Sequence, residues 1–148
     1  MLPAEAPVLT VGPVASQRIQ TTGPDSNRMV VVIMGDGYTG DDLDSGLMAT
    51  HTANLWNAFG SKAPWGDYMR AINVYRVDVE STQQGADDPG AVPPVYVDTY
   101  FNSTFWNGGV ERNLAVDSTG RSHAIAAANA MVGAGIWDQI LITVNSTK

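Results

Sequence analysis

The chain has 148 residues, 44% of them apolar and 16% charged, and carries a formal net charge of −7. These values describe one globular domain rather than a disordered chain. The acidic balance argues against a nucleic-acid binder, which needs a basic face, and the lack of cysteine excludes disulfides, thiolate zinc sites and cysteine nucleophiles.

In chain order, residues 1–28 are proline-containing and weakly periodic, and they read as an extended N-terminal arm or linker with one short strand at Pro7–Val14. The opening "MLPAEAPVLTVGPVASQ" has neither the basic region nor the apolar stretch of a signal peptide, which leaves a processed or truncated N-terminus open. The valine-rich run Met29–Met34 is short, continuous and closed by a glycine loop, the pattern of a buried strand. After the loop "GDGYT" (Gly35–Thr39), Leu43, Leu47, Met48, Leu55, Trp56 and Phe59 recur at helical spacing, with Thr39 or Asp41 as the cap.

"INVYRVDVES" (Ile72–Ser81) is β-branched and reads as a second strand, on which Arg76 and Asp78 share a face and can pair. Gln83–Pro94 is a Gly/Pro/Asp loop of a length often tied to function. The stretch Tyr96–Gly109 is aromatic and irregular, Val110–Asp117 reads as a short helix, Ser122–Gly135 as an alanine-rich helix, and Trp137–Asn145 as a third strand. The order implies an α/β fold whose mixed, partly parallel sheet is flanked by helices. No segment is apolar enough over its length to span a bilayer as a helix.

The chemistry legible in single motifs is incomplete. Gly35-x-Gly37-x-x-Gly40 matches a dinucleotide fingerprint literally, but Asp36, Asp41 and Asp42 would face the pyrophosphate. An EF-hand loop beginning at Asp42 fails because Gly46 stands at its fifth position. Asp36 has two open readings, as a local acceptor that holds the turn or as a direct ligand. His51 and His123 lie far apart in sequence, form no His-Glu-x-x-His, and are not metal ligands on this reading. No nucleophile elbow occurs, so no catalytic residue is assigned within the chain.

Four stretches together, "VVVIMGDGYTGDDLD" (Val30–Asp44), "INVYRVDVES" with "GADDPG" (Ile72–Gly90), "VDTYFNSTFWNGGVERNLAVD" (Val97–Asp117) and "WDQILITVNSTK" (Trp137–Lys148), resemble the N-terminal half of the catalytic domain of IgA-peptidase-like zinc metallopeptidases. The resemblance runs from Met29 to the end of the chain and implies an incomplete zincin-like (metzincin-like) scaffold over residues 29–148. It implies that a His-Glu-x-x-His helix follows a segment like "ILITVNSTK", so Zn would be a cofactor of the complete protein and none is expected on this chain alone. It further implies a protein or peptide substrate and a secreted or cell-surface location, with Asp36, Gly37, Tyr38, Tyr100 and Trp106 as candidates to shape the substrate cleft. Phe101 is a further candidate wall, and buried aromatic core is the competing reading for these side chains. The rival class is a non-catalytic α/β binding or pro-domain-like module. Oligomeric state is left open.

Overall fold

The computed structural model of the protein describes residues 11–148. The expected strand at Pro7–Val14 therefore lies largely outside the described residues. The first described strand, β1 (Gly12–Gln20), comes from the stretch read as an arm. It is followed by β2 (Met29–Asp36), a short helix α1 (Gly40–Asp44), the main helix α2 (Leu47–Gly60), a single turn α3 (Trp65–Tyr68) and β3 (Ile72–Glu80). Two-residue strands β4 (Ser103–Thr104) and β5 (Ala115–Val116) pair antiparallel with each other. Helix α4 (Ser118–Ala128), a widened turn over Asn129–Gly133 and β6 (Gln139–Val144) complete the chain.

The main sheet has the order β1-β3-β2-β6. β2 runs parallel to both β3 and β6, and β1 closes one edge antiparallel to β3. The sheet is mixed and partly parallel, as the sequence implied. Residues of β2 alternate between two cores, which explains why its apolar run is unbroken. Val31 and Ile33 face α2 through Met48 and Trp56. Val32 and Met34 face α4 through Ala124, Ala127 and Ala128. The small alanines let α4 lie close to the sheet.

Two local expectations are corrected and one is decided. The single helix anticipated from Leu43 onward is two, because Gly46 takes a left-handed φ of 78° between α1 and α2. Of the two expected caps, Thr39 is the one used, in a reciprocal box with Asp42. Val110–Asp117 is not helical: Asn107 N–H donates to the Asn113 carbonyl and Asn113 N–H to that of Val110, making a tight turn that leads into β5. Arg76 and Asp78 do pair, at 2.7 Å.

Candidate functional site

In an open α/β sheet, ligands bind in the crevice beyond the carboxyl ends of the parallel strands, where the connecting loops diverge. Here those ends are Asp36 of β2, Glu80 of β3 and Val144 of β6. The loops after them are fastened to one another by the side chain at the tip of the central strand.

Asp36 is fully buried. Its carboxyl oxygens accept hydrogen bonds from Phe101 N–H and Ser103 N–H, each at 3.0 Å, from Thr99 Oγ1 at 2.9 Å and from Ser81 Oγ at 3.3 Å. Its main-chain carbonyl accepts Asn145 N–H at 2.9 Å. One residue thus ties the end of β2 to the loop after β3, to the aromatic stretch and to the segment after β6. Four donors occupy a carboxylate's acceptor capacity, leaving little for a ligand. The structure favours the local-acceptor reading of Asp36 on this geometry.

Ser81 extends the knot. Its hydroxyl oxygen accepts Gly37 N–H and Tyr100 N–H, both at 3.1 Å, and its own N–H donates to the Tyr38 carbonyl at 2.7 Å. Gly37 has a φ of 71°, and a Cβ there would stand 2.1 Å from the Gly85 carbonyl oxygen. Glycine is required on both counts, conformation and close backbone approach.

Tyr38 is fully buried among Ile33, Met48 and Trp56. Its hydroxyl lies 2.8 Å from Nδ1 of His51, and burial pushes its pKa up, with the nearby Asp42 charge adding to the rise against an opposing Thr143 contact. Asp42 Oδ2 also receives Asn145 Nδ2 at 3.2 Å, joining the start of α1 to the segment after β6.

The crevice itself has a cavity of about 340 Å³, lined by Gln84, Gly85, Asp88, Phe105, Asn145 and Lys148 among others. Lys148 Nζ reaches Asp88 at 2.6 Å and Glu111 at 3.4 Å, and sits 5.3 Å from the Phe105 ring centre and 5.4 Å from that of Trp106. Trp106 Nε1 donates to the other Asp88 oxygen at 2.8 Å. The Lys148 hydrogen bond, helped by Trp106 and opposed by burial, holds the Asp88 carboxyl below the usual carboxylate range.

The five cleft candidates are therefore distributed unequally. Asp36, Gly37 and Tyr38 are buried and do not line the crevice. Trp106 is half-buried and stands beside it. Tyr100 is half-buried and lines a different cavity of about 290 Å³, with Thr82, Asp98 and His123. Phe101 is core. Reasoning from sequence missed Phe105, Asp88 and Lys148 as lining residues; the signal available was the long Gln83–Pro94 loop, which supplies Asp88 and Gly85.

Neither histidine stands in a ligand set. His51 is bonded to Tyr38 on the α2 face of the sheet. His123 donates through Nδ1 to the Tyr100 carbonyl at 3.0 Å and stacks on the Tyr100 ring, on the α4 face. Among the described residues, no group of three His, Cys, Asp or Glu side chains converges on a point that suits a metal ion, so the residues present do not fit a zinc centre.

An α/β domain with a strand-end crevice is compatible with many activities, and the comparison of families supplies the class: peptidases. The model of the family IgA Peptidase M64 matches residues 17–148, and the chain belongs to that family. No curated protein matches the chain.

Proposed function

We propose that this chain forms the N-terminal part of a zinc-dependent metalloendopeptidase that hydrolyses peptide bonds in a protein or peptide substrate. The observation that carries the reading is the family match across residues 17–148. The crevice beyond β2, β3 and β6 agrees with it, because the match covers every loop that builds this crevice. The zinc ligands and general base belong to a His-Glu-x-x-His helix that follows Lys148 in the complete protein, where two His one turn apart share a helix face. Residues 1–148 are inactive alone, and no chemical step is assigned to them. Their role is to present a braced crevice, with Phe105 as an apolar wall, Trp106 beside it, and the backbone of the Gln83–Pro94 loop as a hydrogen-bonding rim. The complete protein acts outside the cell or at its surface.

The reading frame beyond Lys148 tests this directly. A His-Glu-x-x-His within a few dozen residues supports the peptidase. A stop codon there contradicts it and leaves the non-catalytic module.

A further inference from the structure

The sequence holds one Asp-Gly step, Asp36-Gly37, and one Asn-Gly step, Asn107-Gly108. In both, the side-chain carbonyl carbon can be reached by the next main-chain nitrogen, and glycine puts no side chain in the way of ring closure. The fold treats the two steps in opposite ways. At Asp36 both partners are held. The carboxyl is fully buried and accepts four hydrogen bonds, and Gly37 N–H donates to Ser81 Oγ at 3.1 Å. Neither group is free to approach the other.

At Asn107 both partners are loose. Asn107, Gly108 and Gly109 are all exposed. Neither the Asn107 side-chain amide nor Gly108 N–H has a hydrogen-bond partner among the described residues. A Cβ built on Gly108 would meet nothing within 4 Å, so the space beside this peptide is open. The main chain around it is a turn with left-handed φ at Trp106, Gly108 and Gly109, of 62°, 66° and 79°. Asn107 N–H donates to the Asn113 carbonyl at 3.0 Å, and the Asn107 carbonyl accepts Asn113 Nδ2 at 2.9 Å. The same turn carries Trp106, whose indole donates to Asp88, and Glu111, which reaches Lys148.

We propose that Asn107 is a self-modifying site, deamidated by attack of its own chain on its side-chain amide. The Gly108 nitrogen bonds to Cγ of Asn107, the Cγ–Nδ2 bond breaks, and Nδ2 leaves as ammonia with the proton shed by the Gly108 nitrogen. Water then opens the cyclic imide on one side or the other. Cleavage of the new bond leaves aspartate at position 107. Cleavage of the original main-chain bond leaves an isoaspartyl link, in which the chain runs through the side-chain carbons. Water is the only co-reactant and ammonia the only group lost. Either product adds a negative charge to the turn that carries Glu111. The isoaspartyl link also adds a main-chain atom between Asn107 and Gly108, inside the ring that Gly109 N–H closes onto the Trp106 carbonyl at 2.8 Å. Trp106 then shifts, and its indole bond to Asp88 loosens at the side of the crevice. None of these steps depends on the peptidase reading.

The test incubates folded residues 1–148 at mildly alkaline pH, digests samples over time, and locates aspartyl and isoaspartyl products by chromatography and fragment-ion mass spectrometry. Asn107 is expected to convert at least about tenfold faster than any other asparagine, the ratio that a barrier lower by about 1.4 kcal/mol gives. Asp36 is expected to stay unchanged in the folded protein and to isomerise once urea exposes it, whereas urea changes the rate at Asn107 little. Asn107→Gln keeps an amide and is expected to stop the conversion. The Trp106 indole N–H is expected to gain a second NMR signal as the isoaspartyl form accumulates, and to stay single in Asn107→Gln. An Asn107 that survives in the folded protein and converts only in urea overturns the proposal, because the turn then protects it. An indole signal that stays single while the isoaspartyl form accumulates overturns the effect on Trp106 and leaves the modification site standing.

Discussion

Phe101 N–H donates to the Asp36 carboxyl at 3.0 Å across sixty-five positions of sequence. That bond, with those of Thr99 and Ser103, turns an irregular aromatic stretch into a fixed wall of the crevice. Removing the acceptor strands several buried donors at once. Asp36→Ala is expected to cost about 3 kcal/mol, since each buried donor left unpaired costs about 1–3 kcal/mol and relaxation recovers part of it. Asp36→Asn replaces one acceptor oxygen with a donor facing other donors, and is expected to be little better. Chemical denaturation measures both. A loss below about 1 kcal/mol for Asp36→Ala, the size of one ordinary hydrogen bond, would show that the knot is not what holds the loops.

Gly37 and Gly46 separate two ways in which glycine is needed. Both have left-handed φ, 71° and 78°. A Cβ at Gly37 meets the Gly85 backbone at 2.1 Å, whereas one at Gly46 meets nothing within 4 Å. Gly46→Ala is expected to cost about 1 kcal/mol, the conformational penalty alone. Gly37→Ala is expected to cost at least about twice that, because backbone must move. Equal losses would mean that the Gly37–Gly85 approach carries no energetic weight.

Tyr38 gives a prediction at high pH. Its pKa is raised, first by burial, so the folded state favours the neutral phenol. The contribution of this group is complete below the unfolded value of about 10 and is lost as pH rises through the higher folded value. Spectrophotometric titration is expected to show one tyrosine ionising late, and Tyr38→Phe is expected to remove that phase. Tyr38→Phe also loses the His51 hydrogen bond, at a cost of about 1 kcal/mol.

Asp88 acts at the other end of the pH scale. Its pKa is lowered, chiefly by the Lys148 hydrogen bond, so its contribution is present above the unfolded value of about 3.9 and is lost as pH falls through the depressed folded value. The tether of Lys148 to Asp88 should therefore persist through neutral pH and release only in acid. NMR titration of the Trp106 indole N–H, which bonds the same carboxyl, is expected to report that single acid transition. Asp88→Asn should remove it.

The sheet was legible because its signals are local. The apolar run of β2, the β-branched run of β3 and the spacing of Met48 and Trp56 each express a burial pattern within a few residues. The partners of Asp36 were not legible. They lie forty-five to sixty-seven positions away, and all four are backbone or hydroxyl donors in segments without periodicity. Val110–Asp117 misled for a related reason. Apolar Val110 and Leu114 have helical spacing, but Gly108 and Gly109 adopt φ of 66° and 79° and set up a turn instead. The crevice lining depends on which loops converge on the carboxyl ends of the strands, which is a property of strand order. The family resemblance could be read because it spans several stretches in register, and the family match covers the same region.

Under the proposed function, residues 1–148 brace a peptidase crevice and the zinc centre is supplied from outside them. Zinc content and peptide hydrolysis, measured side by side on residues 1–148 and on the extended protein, test it most directly. The expected result is no stoichiometric zinc and no cleavage for residues 1–148, with one zinc per chain and chelator-sensitive cleavage for the extended protein. One tightly held zinc on residues 1–148, lost on substitution of His51 or His123, would contradict it.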